Sequence, residues 1–136
     1  MKVVGINGSS RADGNTFILI NTVFEELRKE GINTEMIQLF NKDIKPCRGC
    51  GACRNGSCTL ENDDFNRVFD KMAEADGIIL GSPVYSADVP ARMKALLERA
   101  GYVAAMNPAQ GRRSCRSSPQ RRRNDCSRHF ESFFSQ

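Results

Sequence analysis

Apolar and polar positions alternate along the first hundred residues with two different spacings. Three short segments, residues 2–6, 33–39 and 77–81, predict strands, and the last is fully apolar, as is typical of a central parallel strand. Three stripes with apolar residues three or four positions apart predict amphipathic helices. The stripes are Phe17, Ile20, Phe24 and Leu27, then Phe65, Val68, Phe69 and Met72, and finally Met93, Leu96, Leu97 and Ala100.

Residues that favour helix ends flank these stripes. Asn15 or Thr16 can cap the first helix, and Gly31 can end it. Asp88 can cap the third helix, and Pro90 suits its first turn. The alternation of strand and helix, repeated three times, predicts an α/β fold with a parallel sheet.

The pattern stops after Pro108. Residues 109–136 contain no Leu, Ile, Val or Met, and 13 of these 28 residues are Arg or Ser, so the stretch alone cannot bury enough apolar surface to offset its ordering entropy. We expect residues 1–108 to form one domain, truncated after the third strand and helix. The tail is expected to be disordered or the product of a shifted reading frame, because one permitted back-translation of residues 121–134, read one base later, encodes a glycine turn and a helix start.

The net charge of +4 belongs to that tail. Residues 1–108 carry 13 basic and 14 acidic side chains, whereas residues 109–136 carry 7 Arg and 2 acidic side chains. The body therefore offers no basic face, and we expect no nucleic-acid partner. No apolar run is long enough to span a membrane, and residues 1–6 are typical of a first strand rather than a secretory signal, so the expected location is cytoplasmic.

The loop between the first strand and the first helix, residues 8–16, has the composition of an anion cradle. Backbone amides in such a loop, together with the positive end of the helix dipole, attract a phosphate. Ser9, Asn15 and Thr16 can donate hydrogen bonds, and Arg11 adds a full positive charge. The loop is neither G-x-G-x-x-G nor a Walker A sequence, which argues against dinucleotide and ATP sites. An ordinary capped turn is the alternative.

Four of the six cysteines lie within twelve residues, at Cys47, Cys50, Cys53 and Cys58. In a chain without a signal peptide, such a cluster indicates metal or redox chemistry rather than disulfides. The repeated two-residue gaps are typical of cubane iron–sulfur ligation, and the three glycines within the segment let the backbone curl around a centre. Four-cysteine zinc sites usually have a spacer between two pairs, but zinc and unliganded thiols stay open as alternatives.

The third loop, residues 81–90, follows the third strand. Ligands of open α/β sheets bind outside the carboxyl ends of the strands, at the switch between strands one and three in the order 2-1-3-4-5. The first and third loops should therefore flank one crevice. Tyr85 offers a flat ring there, although a half-buried core aromatic is the alternative interpretation.

Together these three pieces resemble the NADPH-dependent FMN reductase family of flavodoxin-like proteins, and within it the iron–sulfur flavoproteins. The resemblance covers residues 1–108 and is absent from the tail. The matching stretches are residues 5–11, 14–16, 47–58 with Asp63 and Asp64 after them, 75–85 and 90–96.

The resemblance implies a flavodoxin-like doubly wound parallel sheet, here truncated, and a flavin-dependent oxidoreductase that uses FMN. It implies that the FMN phosphate is held by Ser9, Arg11, Asn15 and Thr16. It implies that the isoalloxazine is lined by Pro83, Val84 and Tyr85. It further implies that a 4Fe-4S cluster is ligated by Cys47, Cys50, Cys53 and Cys58.

Electrons would pass from NAD(P)H or another small-molecule or protein donor to an acceptor, within a homo-oligomer if the fold is complete. No residue is expected to act as a catalytic acid or base, because the cofactors carry the electrons. Two other interpretations stay open: a small zinc-binding structural module, and a non-functional truncated fragment of the flavoprotein.

Overall fold

A computed structural model describes residues 1–106, so the predictions for the tail lie outside the described residues. Within that range the α/β prediction is confirmed: three parallel strands form one sheet in the order β2-β1-β3, with helices between them. The strands are β1 (Lys2–Asn7), β2 (Asn33–Gln38) and β3 (Gly77–Gly81). The helices are α1 (Asn15–Lys29), α2 (Phe65–Glu74) and α3 (Ala91–Met106), with short 3-10 helices at Leu39–Asn41 and Ala52–Asn55.

The central strand β1 brings the carboxyl ends of all three strands to one level. Its last residue, Asn7, pairs in register with Gln38 at the end of β2 and with Gly81 at the end of β3. The segments that leave β1 and β3 therefore start side by side. This arrangement places the first and third loops next to one another, as predicted.

Helices cover both faces of the sheet, as the apolar stripes predicted. On one face Ile20 and Phe24 of α1 pack with Val3 of β1. On the other face α2 and α3 join Val4 and Ile6 in the larger core. All four stripe residues of α2 are buried, whereas Leu97 of the α3 stripe is only partly buried. None of the helices formed by residues 1–106 combines the length and the apolar character that a membrane span requires.

Two of the predicted helix boundaries are wrong and one is right. Gly14, not Asn15 or Thr16, precedes α1, and no side chain caps that helix. Asp88 does not cap α3, because its carboxylate accepts from the amide of the next residue and pairs with Lys94. The end of α1 agrees with prediction, since Gly31 has a φ of +72° and donates to the carbonyl of Arg28.

The position of β3 differs from what its apolar sequence alone indicates. Within residues 1–106, β3 lies at the edge of the sheet and pairs only with β1. Its apolar side chains Ile78 and Leu80 are 45% and 37% exposed. The sequence pattern was that of a buried strand, but no described element covers this edge.

Candidate functional site

The first and third loops lie against one another at the carboxyl edge of the sheet. The amide of Gly8 donates to the carbonyl of Gly81 over 2.8 Å, which extends the ladder beyond the strands. Further out, the hydroxyls of Ser10 and Tyr85 are 3.1 Å apart and form a hydrogen bond. The two segments that sequence reasoning assigned to one crevice are therefore neighbours.

The first loop folds around Ser9, which is 5% exposed. Its amide donates to Oδ1 of Asn7 over 3.0 Å, and its Oγ accepts from the amide of Arg11 over 3.1 Å. Because Oγ already accepts, the hydroxyl hydrogen is the part of Ser9 that can serve an outside acceptor. Ser9 thus contributes a hydroxyl donor rather than an amide donor.

The amino end of α1 supplies further donors. The first-turn amides of any α-helix have no acceptor inside the helix, and no side chain caps them here. They carry the partial positive charge of the helix dipole. Arg11 and Asn15 are exposed beside this end and Thr16 is partly buried, so the four predicted phosphate residues surround one helix terminus. The arrangement suits a single anion of phosphate size.

The third loop presents a tight turn beside this cradle. Tyr85 and Asp88 exchange two backbone hydrogen bonds of 2.8 and 3.0 Å. The two central residues, Ser86 and Ala87, have φ values of +50° and +62°, a conformation that favours glycine. Val84 is 76% exposed and Tyr85 46% exposed, which leaves their apolar surfaces free to contact a flat ligand. Pro83, the third predicted flavin residue, is partly buried next to them.

Sequence reasoning missed two amide side chains beneath the first loop. Asn7 is fully buried at the end of β1, and its Nδ2 donates to Oε1 of Gln38 over 2.6 Å. Gln38 in turn donates through Nε2 to the carbonyl of Ala12 over 2.9 Å. The available signal was a polar residue at the last position of two adjacent parallel strands.

The cysteine segment is an ordered loop with glycines at its bends. Gly49, Gly51 and Gly56 all have positive φ, between 65° and 99°, as their predicted role requires. Cys50 is exposed, and the other three cysteines are partly buried. Within residues 1–106, however, no three Cys, His, Asp or Glu side chains are placed to hold a metal ion. Four thiols are a suitable ligand set for an iron–sulfur cluster, but here they do not converge on one point. Ligation therefore requires the cysteine segment to change conformation so that the four sulfur atoms come together.

One buried arginine, also missed from the sequence, fixes the base of this segment. The guanidinium of Arg99 pairs with Asp63, donates to the carbonyl of Lys45 over 3.0 Å and donates to Sγ of Cys58 over 3.2 Å. It also lies 4.0 Å from the centre of the Phe65 ring. Arg99 therefore joins α3 to the residues on either side of the cysteine segment. Its Nε is buried without a partner among the described residues.

The charges of this pair are stabilised together. Burial opposes ionisation of Asp63, but hydrogen bonds from Arg99 and from the amides of Lys45 and Phe65 outweigh it and lower the pKa of the carboxyl group. Burial likewise disfavours the charged form of Arg99, but its bonds to Asp63 and Cys58 raise the pKa of the guanidinium. Both groups are ionised at neutral pH, and each compensates the charge of the other.

The chain is similar to known flavoproteins over most of the described range. The profile of the family described as NADPH-dependent FMN reductase matches residues 1–115, somewhat beyond the expected boundary. An iron–sulfur flavoprotein of Methanocaldococcus jannaschii is 48% identical over 100 residues, which cover 73% of this chain and 51% of that protein. An iron–sulfur flavoprotein of Methanosarcina thermophila is 38% identical over 107 residues, which cover 79% and 56% of the two chains.

A solved structure agrees with these sequence matches. A flavone reductase superposes with a TM-score of 0.59 at 26% identity and covers 74% of this chain and 30% of its own. This likeness confirms the flavodoxin-like α/β fold that the resemblance implied. The chain spans about half the length of the curated relatives it matches.

Proposed function

Because the chain belongs to the NADPH-dependent FMN reductase family, we propose that it binds FMN at the crevice between the first and third loops and serves electron transfer between NAD(P)H and an acceptor. The observation that carries this proposal is the uncapped amino end of α1, with Ser9, Arg11, Asn15 and Thr16 around it. The helix terminus and Arg11 supply positive charge for one phosphate, and the exposed apolar turn beside them suits a flat ring.

Each residue has a defined role in the proposed complex. The hydroxyl of Ser9, the side chains of Asn15 and Thr16 and the first-turn amides of α1 donate to the phosphate, and Arg11 neutralises its charge. Pro83, Val84 and Tyr85 cover the isoalloxazine and exclude water from one side of it. When bound, FMN accepts reducing equivalents from the donor and passes them on. The chain's own residues bind and orient; we assign no catalytic acid or base.

FMN is favoured over FAD for a physical reason. The first loop offers one anion cradle and lacks the glycine fingerprint that accommodates a pyrophosphate. Replacing Arg11 removes one charge-assisted contact, which is worth about 1.5–3 kcal/mol, or about a ten- to hundredfold loss of affinity.

The matching experiment is a fluorescence titration with FMN. Arg11→Ala should weaken binding by that factor, whereas Arg67→Ala, which removes a side chain 83% exposed on α2, should leave affinity unchanged. Equal FMN affinity of Arg11→Ala and the wild-type chain would contradict the assignment of the phosphate to this loop.

For the cysteine segment we propose a 4Fe-4S cluster held by Cys47, Cys50, Cys53 and Cys58. The support is the donor set, the glycine bends of the segment and the iron–sulfur flavoproteins among the relatives. The cluster would lie at the loop that Arg99 anchors, and Cys58 is the thiol already held in place. Closing the segment would bring the other three thiols to Cys58.

Reconstitution separates this proposal from a zinc-binding structural module. Anaerobic addition of iron and sulfide should give a broad visible absorbance that bleaches on reduction, and Cys50→Ser should lose it. Ser57→Ala, which changes a neighbouring residue without a thiol, serves as the control. A chain that retains tightly bound zinc and refuses iron would favour the zinc module. The electron donor, homo-oligomeric assembly and cytoplasmic location stay predictions.

A further inference from the structure

The amide side chains of Asn7 and Gln38 form a directed hydrogen-bond relay beneath the first loop. The relay begins at the amide of Ser9, passes through both side chains and ends at the carbonyl of Ala12, with distances of 3.0, 2.6 and 2.9 Å. It therefore ties the loop, at two points three residues apart, to the ends of β1 and β2.

The two ends of the relay fix the orientation of both amides. The carbonyl of Ala12 can only accept, so Gln38 must present its nitrogen there and its oxygen to Asn7. Asn7 must then present its nitrogen to Gln38, which leaves its oxygen for the amide of Ser9, a group that can only donate. Every donor and acceptor in the chain of bonds is matched, and no flipped arrangement satisfies both ends.

The relay determines which loop groups face a ligand. It holds the carbonyl oxygen of Ala12, a partial negative charge, towards β2. Since a peptide unit is planar and trans, the amide hydrogen of Asp13 points in the opposite direction. The amide of Ser9 is occupied by Asn7, so its hydroxyl is the group left for an anion. Without the relay, the Ala12 carbonyl is free to turn and compete with a bound phosphate.

We infer that Asn7 and Gln38 are positioning residues for phosphate recognition: they hold the first loop in its anion-binding shape without touching the ligand. This inference rests on the proposed function and deepens it. It predicts that losing the relay weakens binding of the phosphate and leaves binding of the isoalloxazine, at the third loop, unchanged. FMN and riboflavin differ only in the phosphate, so the ratio of their affinities measures the effect.

The decisive variant is Gln38→Met, which keeps the length of the side chain and removes both hydrogen-bonding groups. Both relay bonds of Gln38 are then lost, and we expect the affinity for FMN to fall about tenfold, the equivalent of one hydrogen bond between the loop and the phosphate, with riboflavin affinity unchanged. Thr34→Val is the matched control. Thr34 lies on the same strand as Gln38 but far from the loop, and the substitution removes its hydrogen bond of 2.7 Å with Arg28 of α1. It should leave the affinity ratio at its wild-type value.

A second variant keeps the test decisive if Gln38→Met folds poorly. Gln38→Leu is also uncharged and cannot donate to the Ala12 carbonyl, and it should show the same selective loss of FMN affinity. Fluorescence titration with both flavins gives the ratios. The inference would be overturned, and the proposed function left standing, by either of two results. A folded Gln38 variant could keep the wild-type preference for FMN, or it could lose the same amount of affinity for both flavins. Equal wild-type affinities for the two flavins would overturn the proposed phosphate site and the inference with it.

Discussion

Ala87 holds a backbone conformation that an alanine rarely adopts. Its φ of +62° lies in the left-handed region, which costs a non-glycine residue about 1–2 kcal/mol. Glycine removes that cost but loses about 0.5–1 kcal/mol of chain entropy on folding. We therefore expect Ala87→Gly to raise the free energy of unfolding by about 0.5–1 kcal/mol in urea denaturation. An equal or lower stability would show that the turn is not strained.

The buried pair of Arg99 and Asp63 makes a second prediction at this scale. Both side chains are 1% exposed, and removing one partner of such a pair costs about 3–5 kcal/mol, because the other charge stays buried. Asp63→Asn should therefore lower the free energy of unfolding by about that amount. The double variant with Arg99→Met should recover part of it, since no charge is then left unpaired. Additive losses in this cycle would contradict the coupling.

Acid should destabilise the chain through the same carboxyl group. Because the pKa of Asp63 is lower in the folded state, the unfolded chain binds the proton more tightly. The stabilisation is complete above the unfolded pKa of about 3.9 and is lost as the pH falls through that value towards the folded pKa. Urea denaturation between neutral pH and about pH 3 should show the loss. Asp63→Asn should show a shallower dependence, and an identical dependence would contradict this assignment.

The residues of the first loop could be predicted from the sequence because they are contiguous and have a recognisable chemistry. Arg99 could not, since its partners Asp63 and Cys58 lie 36 and 41 residues away along the chain. An arginine that lies between the apolar stripe positions of a helix is normally placed on the solvent face. Only the packing of α3 against the cysteine segment shows that this one is buried.

At the scale of elements, the contact between α1 and the sheet depends on glycine. A Cβ on Gly81 would lie 2.6 Å from Cδ1 of Ile20 and 2.9 Å from Cγ2 of Thr16. Gly81→Ala should therefore push the amino end of α1 from the sheet and destabilise the fold by about 1–3 kcal/mol. Gly77→Ala on the same strand is the matched control, because its Cβ would lie an ordinary 3.4 Å from Val3.

The shift of α1 also moves the proposed phosphate cradle, so Gly81→Ala should lose FMN affinity as well as stability. Thermal unfolding and FMN titration of both glycine variants check this. Equal behaviour of the two variants would contradict the close packing of α1 on β3.

The elements themselves followed from the sequence, but two of their ends did not. Within residues 1–106, periodicity located the three strands and the three α-helices, since it depends on burial of one face, but not the two short 3-10 helices. The cap of α1 was wrong because Asn15 is already helical and Gly14 takes the cap position. The cysteine spacing predicted one metal centre, but where the thiols lie depends on Arg99 and on the glycine bends, which no spacing rule contains.

For the whole molecule, the exposed edge at β3 has consequences in solution. Within residues 1–106 its unpaired backbone groups and the side chains of Ile78 and Leu80 can pair with another chain, as exposed apolar edge strands do. Leu80→Lys should therefore reduce light scattering at high protein concentration. Lys2→Leu is not a suitable control, because it would break the salt bridge between Lys2 and Glu35. The control is Val84→Lys, which adds the same charge outside the edge strand. Equal scattering by both lysine variants would show that charge alone, rather than the edge, governs association.

The position of the site was predictable because parallel strands bring their carboxyl ends together. The chain spans about half the length of the curated relatives it matches, and the proposed FMN contacts all lie in the first and third loops. The central claim is therefore tested by isothermal titration of the chain with FMN, repeated in the presence of inorganic phosphate. We predict saturable one-to-one binding that phosphate weakens by competing for the cradle. Absence of binding, or binding that saturating phosphate does not affect, would contradict the account.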